Sequence, residues 1–312
     1  MNEIPNLQNA QRNLRRLAAQ RQLYSDAKVL QGVQVIISTP MVIAWSVAAY
    51  FFPESRAYAA LWACLATLAD VLVLGPLTKA KKIVAAKIQE EFDCEVLDLP
   101  WSDCKLGDRP EPEAMSESRR HAAHDPAFSA LRDWYPREVG TVPIHVARLI
   151  CQRSGCWYDR TLREKYSSAT IAILLVGMLV IVCLAMVSGV TVHNAIAALL
   201  LLQPSIVLGV RGYREHLDAA SNADRLRRAV ESLWRRTILG QISPEESRSE
   251  SRLLQNEIYD HRARSPLVFD WLYNRLRPTT EVQMTDGAAE LVEEYLRQRP
   301  KTMTSPGSNP GY

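Results

Sequence analysis

The residues best suited to chemistry in this sequence are aromatics interleaved with arginines: Trp134 and Tyr135, then Arg153, Trp157, Arg160 and Arg163. Two chemistries fit this combination. Beside a membrane, Trp and Tyr settle at head-group level and Arg pairs with lipid phosphate. In a pocket, the same groups stack on a base and clamp a phosphate. The stretch lies just ahead of a long apolar run, which favours the membrane-interface reading and leaves ligand binding as the alternative. A second polar group sits inside apolar sequence: Asp70, with Gln34 and Ser38, which share a helix side with Gln31. Polar side chains at that depth face other helices or water. They either hold neighbouring helices together or line a pore, and Asp70, Gln34 and Ser38 are the pore or gate candidates.

Enzymatic chemistry finds little support. The sequence contains no phosphate-cradling glycine loop, zinc-protease helix, nucleophile elbow or dinucleotide fingerprint. Its six histidines are scattered, and its six cysteines form no CxxC pair. The pairs Cys94 with Cys104 and Cys151 with Cys156 are too loosely spaced for a zinc site. No catalytic residue, metal or cofactor is therefore assigned. A net charge of +3 is too small to indicate binding to DNA or RNA polymers through phosphate neutralisation.

The elements that must position these residues are mostly apolar helices. With 47% apolar and 23% charged residues the average looks like a water-soluble protein, but the apolar residues are concentrated in two blocks. The stretch 166–210 has no Asp, Glu, Lys or Arg. Because a span needs roughly 20 apolar residues, it holds two helices, with a turn expected near Ser188, Gly189, His193 and Asn194. The stretch 29–78 supplies another pair, kinked at Pro40, carrying Asp70 and distorted at Gly75 and Pro76. In lipid the backbone must satisfy its own hydrogen bonds, so these are helices. The expected fold is mainly α: a polytopic membrane protein with four transmembrane helices in two hairpins plus cytoplasmic helical regions. Charge sets the orientation. Lys28, Lys79, Lys81, Lys82, Lys165, Arg211 and Arg214 flank the span ends on one side and Arg56 alone on the other, which places both termini in the cytoplasm.

The polar segments divide as follows. Residues 1–28 predict an amphipathic helix with Leu14, Leu17 and Leu23 on one stripe, lying on the membrane or in solvent. The middle region, 79–165, predicts a helix continuing the second span to about 92, then a short strand or extended link over 94–99. A loop rich in proline follows, and a helix from 144 leads into the third span. The C-terminal region, 211–299, predicts a helix ended by Gly240 and a capping-box helix from Ser243, Pro244 and Glu246 to about 264. Two shorter helices, 268–275 and 286–298, complete it. Residues 300–312 read as disordered.

The segment around Trp134, Tyr135, Trp157, Tyr158, Asp159, Leu162 and Arg163, with Gln255 to Tyr259, His261, Arg262 and the run Phe269 to Tyr273, resembles the SMODS-associating four-transmembrane effector family. That resemblance implies a prokaryotic antiphage effector in the bacterial inner membrane. A partner nucleotidyltransferase makes a cyclic oligonucleotide, and the effector responds to it, directly or indirectly, by permeabilising the membrane so that the infected cell stops growing or dies. Four spans with so few polar groups cannot enclose a wide channel in one subunit, so a pore requires a homo-oligomer in the lipid bilayer. The competing reading is a membrane-anchored scaffold or receptor whose cytoplasmic helices dock a partner. A third is a small-solute transporter, against which stands the lack of a broken-helix repeat apart from Pro40 and Pro204.

Overall fold

The computed structural model describes residues 1–187 and 192–298, and every regular element among them is helical. The helices are α1 (Ile4–Gln8), α2 (Gln11–Ser38), α3 (Pro40–Phe51), α4 (Arg56–Ala69), α5 (Gly75–Val96), α6 (Asp103–Leu106), α7 (Glu117–Ala122), α8 (Ile144–Val187), α9 (Val192–Ile238), α10 (Pro244–Arg264) and α11 (Asp270–Gln298). Ser188 and Gly189 of the expected turn lie outside the described residues, as does the segment 300–312. His193 and Asn194 belong to the first turn of α9.

Among the described residues, two helical stretches are long and apolar enough to cross a membrane, Gln11–Trp45 and Ala57–Val96. Their apolar parts expose Val33, Ile36, Leu61, Leu65, Leu68, Val71 and Leu72, and Ile173, Val176 and Leu179 of α8 do the same. A water-soluble surface does not carry so continuous an apolar belt, and lipid is the solvent it suits. The structure thus has an apolar half and a charged half.

In the apolar half, Pro40 ends α2 at Thr39, whose φ of −122° and ψ of −71° lie outside the helical well, and restarts the chain as α3. The distortion expected at Gly75 and Pro76 takes the form of a π-helical turn over Asp70–Leu74, in which the Gly75 N–H donates to the Asp70 carbonyl. Pro76 cannot donate to the preceding turn, and the wider turn absorbs the resulting misfit. A side chain at position 75 would press against that carbonyl, since a Cβ there would lie 3.1 Å from it. The Trp62 indole donates to the Ile37 carbonyl at 3.2 Å and ties α4 to α2.

In the charged half, one core unites pieces from three parts of the sequence. Leu14 and Leu17 of α2, Phe92 and Val96 of α5, Leu149 and Ile150 of α8, Val230 and Leu233 of α9, and Val292 of α11 all belong to it. The stripe Leu14, Leu17 and Leu23 is thus buried in a helical bundle and lies on no membrane surface, because α5 and α7 cover it. The middle and C-terminal regions both contribute to this core. Residues 94–96 are the last turn of α5, with no strand. The chain then reverses at Asp98, where φ is +52°, and the buried Arg148 donates to the Leu97 and Asp98 carbonyls left free at the helix end.

Local signals set the remaining boundaries. Gly240, at φ +65°, follows α9, and Ser243 with Glu246 forms the reciprocal capping box that opens α10. The two short helices expected near the C-terminus are one continuous helix, α11, which passes through Pro278. Its packing along α8 outweighs the hydrogen bond that proline removes.

Candidate functional site

A cavity of about 290 Å³ lies in the charged half where α2, α5, α8, α10 and α11 converge. Helix α2 contributes Gln20, Arg21, Tyr24 and Lys28, which are spaced by turns and share one face. Helix α8 contributes Gln152, Tyr158, Asp159 and Arg163 at similar steps, and α10 contributes Gln255, His261 and Arg262. The loop residues Trp134 and Tyr135, with Tyr273 of α11, complete an aromatic lining.

One wall is a buried ion network. Glu90 and Asp93, one turn apart on α5, are both buried. Arg252 donates to Glu90 Oε1 at 2.6 Å and Arg262 to Asp93 Oδ2 at 3.0 Å, while the Gln255 amide bridges both acids at 2.9 and 3.0 Å. The Tyr135 hydroxyl donates to Asp93 Oδ1 at 2.8 Å, and its ring stacks on Phe92. Burial first, and then the Asp93 charge, push Glu90 above the usual carboxylate range. These acids need both guanidiniums, so Arg252 and Arg262 are committed to them.

A second network crosses the cavity edge. Arg225 donates twice to Asn222 Oδ1, at 3.1 and 3.0 Å, which turns the Asn222 amide nitrogen toward His261 Nδ1 at 2.9 Å. That contact makes Nδ1 the acceptor and places the ring hydrogen on Nε2, which donates to Asp159 Oδ2 at 2.6 Å. Arg163 donates to the same oxygen at 2.7 Å and to the Pro266 carbonyl at 3.0 Å. Burial alone pushes Asp159 up, but Arg163 and His261 together hold it far below the ordinary range. Ser265 completes a serine, histidine and acid set by composition, yet its geometry is wrong for nucleophilic catalysis. Its Oγ lies 3.3 and 3.4 Å from the two ring nitrogens alike, and both nitrogens already have partners.

Beside these networks the lining holds open groups, the Tyr158 hydroxyl and Arg262 Nη1 among them. Arg21 pairs with no acid among the described residues; it donates to the Tyr273 hydroxyl at 3.2 Å and its guanidinium lies 4.8 Å from that ring's centre. Gln20 Oε1 and the Tyr24 hydroxyl are buried without a hydrogen-bond partner. Burial pushes Tyr24 up to about 12, so its hydroxyl keeps its proton and is a donor. An unpaired cation, an open amide acceptor, an open phenol donor and several aromatic faces are the groups that recognise a base and its phosphate. A larger groove of about 560 Å³ lies alongside and shares His261 and Ser265. It is open to solvent and mixes Glu215, Asp218, Glu257 and Asp260 with Lys82, Arg225 and Arg264, which suits no single ligand charge.

The residues singled out in the sequence divide between places. Trp134, Tyr135 and Arg163 meet at the cavity. Arg153 pairs with Glu231 at 3.1 Å, Arg160 pairs with Glu164 and Asp224, and Trp157 is half-buried away from the lining. Asp70, Gln34 and Ser38 are half-buried in the apolar half, where α2 packs against the Asp70–Leu74 turn. The α2 face was missed, although Gln20, Tyr24 and Lys28 recur at steps of four in the sequence. His261, which looks isolated in the sequence, is joined to Asp159 from 102 residues away.

A family model described as the SMODS-associating 4TM effector domain matches residues 2–291. A curated relative, a probable CBASS effector molecule of Bacillus cereus (strain VD146), is 23% identical over 278 residues, which cover 85% of this chain and 90% of the relative. No solved structure matches.

Proposed function

The chain belongs to the SMODS-associating 4TM effector family, and from that premise we propose that it is an antiphage membrane effector opened by a nucleotide signal bound in the charged-half cavity. The signal is a cyclic oligonucleotide made by a partner nucleotidyltransferase. One base with its phosphate fills a cavity of about 290 Å³, at the lower end of ligand-site sizes, and the rest of the ring stays at the mouth. Arg21 takes the phosphate, Gln20 and Tyr24 read the base edge, and the tyrosines stack on its face. The protein acts by binding and not by catalysis. The observation that carries this reading is the meeting, in one cavity, of Arg21, which has no acid partner among the described residues, with Gln20 Oε1 and the Tyr24 hydroxyl, which are buried without a hydrogen-bond partner.

The response lies in the apolar half. Helices α2 and α8 line the cavity and run without interruption into apolar, exposed turns. In this reading four spans form two hairpins in the inner membrane, with both termini and the cavity in the cytoplasm, and several copies assemble to permeabilise it. Asp70, Gln34 and Ser38 then face the path between copies, since an acid in lipid is tolerated only toward water or other helices.

Membrane potential and dye entry in cells supplied with the signal test this directly. The wild type should depolarise the membrane. Arg21→Ala should need about 10–100-fold more signal, the loss expected for one charge-assisted contact. Asp70→Ala should weaken permeation while leaving signal binding intact. Binding without depolarisation at any signal level would instead identify a membrane-anchored receptor that docks a partner.

A further inference from the structure

The first turns of α11 run along the edge of the apolar half. Lys28 precedes the point at which α2 leaves the core: Ala27 is 0% exposed and Val29 is 65% exposed. Its ammonium pairs with Asp270, the first residue of α11, at 2.5 Å. Lys165, which closes the charged part of α8 just before its apolar run, reaches Thr280 at 3.4 Å. Farther from the apolar half, Gly287 lies against Arg153. Residue numbers therefore run oppositely along α8 and α11, and α11 points its N-terminus toward the apolar half. Thr280 is already level with a boundary residue, and position 271 lies nine residues nearer, about 13 Å along a helix.

At that position stands Trp271, 60% exposed, beside the buried Leu272. One turn on, Arg275 is exposed and has no acid partner among the described residues. An exposed tryptophan with an unpaired arginine at the level where apolar helices begin matches what lipid head groups select. The same turn presents Tyr273 inward, against Arg21 and Lys28.

We propose that the first turns of α11 rest on the bilayer, with Trp271 in the head-group layer and Arg275 against lipid phosphate. The occupant of this exposed face is lipid, because α11 starts at Asp270 against Lys28, the residue at which α2 passes from the buried core into the apolar belt. The inference rests on the belt lying in a membrane, and the experiment separates the two. The full chain is placed in phosphatidylcholine and phosphatidylglycerol nanodiscs, and tryptophan emission is compared between wild type and Trp271→Phe. Spin-labelled phosphatidylcholine head groups serve as lipid quencher and iodide as aqueous quencher. Head-group quenching should fall in Trp271→Phe by roughly the share of one tryptophan in seven. A Trp271 component that iodide reaches and head-group label does not, or that neither reaches, overturns the proposal. Quenching of Trp62 by acyl-chain bromine, read from the loss in Trp62→Phe, reports on the belt. If that persists while Trp271 is not quenched by lipid, only the α11 contact fails; if Trp62 is silent too, the membrane placement fails with it.

Discussion

The two halves of the molecule are held together by different means. In the charged half, side chains from α2, α5, α8, α9 and α11 bury one another, and ions such as Glu90 are satisfied by several partners at once. In the apolar half, large side chains such as Leu68 and Val71 point away from the protein, and helices meet at points such as the Trp62 indole on Ile37 and Gly209 against Leu174. Water drives apolar burial only where water is the alternative, and in lipid that drive between helices disappears. The charged half thus owes its arrangement to burial from water, a drive that the apolar half lacks in lipid.

Substitutions that treat the halves unequally test this contrast. Arg252→Met removes the guanidinium that neutralises the fully buried Glu90 and should destabilise the bundle by about 3–5 kcal/mol, read as a lower melting temperature of the detergent-solubilised protein. Phe92→Ala, a cavity at the junction of Trp134 and Tyr135, should cost a similar ~3–5 kcal/mol, whereas Leu68→Ala should change stability by less than about 0.5 kcal/mol. Equal effects of these two alanines would erase the distinction.

Acid should act on the charged half as well. Burial, and then the nearby Arg163, lower His216 to about 4, so it stays neutral in the fold and takes up a proton on unfolding below its ordinary value near 6.5. Stability should therefore decline as pH falls from about 6.5 to about 4, by no more than about 3 kcal/mol. His216→Phe keeps a ring tilted against Tyr166, the ring centres being 4.1 Å apart, and should flatten that part of the melting profile. The smallest effect sharpens the local picture: Ser243→Ala removes the cap of α10 and should cost about 1 kcal/mol, visible as faster amide exchange over its first turn.

What could be read in the sequence was what short stretches decide alone. Pro40 marks its break, Gly240 its helix end and Ser243 its capping box because each acts through neighbours one turn away. The apolar runs announce themselves by composition. The cavity did not, because its walls come from residues as far apart as Arg21 and Tyr273, and no periodicity tells which polar face of α2 turns inward. Arginines of one helix even divided by role: Arg163 faces the cavity while Arg160, three positions earlier, is tied to Asp224 of α9. The gap expected between 275 and 286 is absent for the opposite reason, since α11 runs on through Pro278, whose local effect yields to packing along α8.

Helix α8 has no proline and, unlike its neighbours in the apolar half, no broken or widened turn among its described residues. From Arg163 it extends through Val187, a rod of about 36 Å. A rod without a joint amplifies angle into distance. A tilt of only about 5° at Arg163 would sweep the far end by about 3 Å, which is about half the width of a side chain's seat against the next helix.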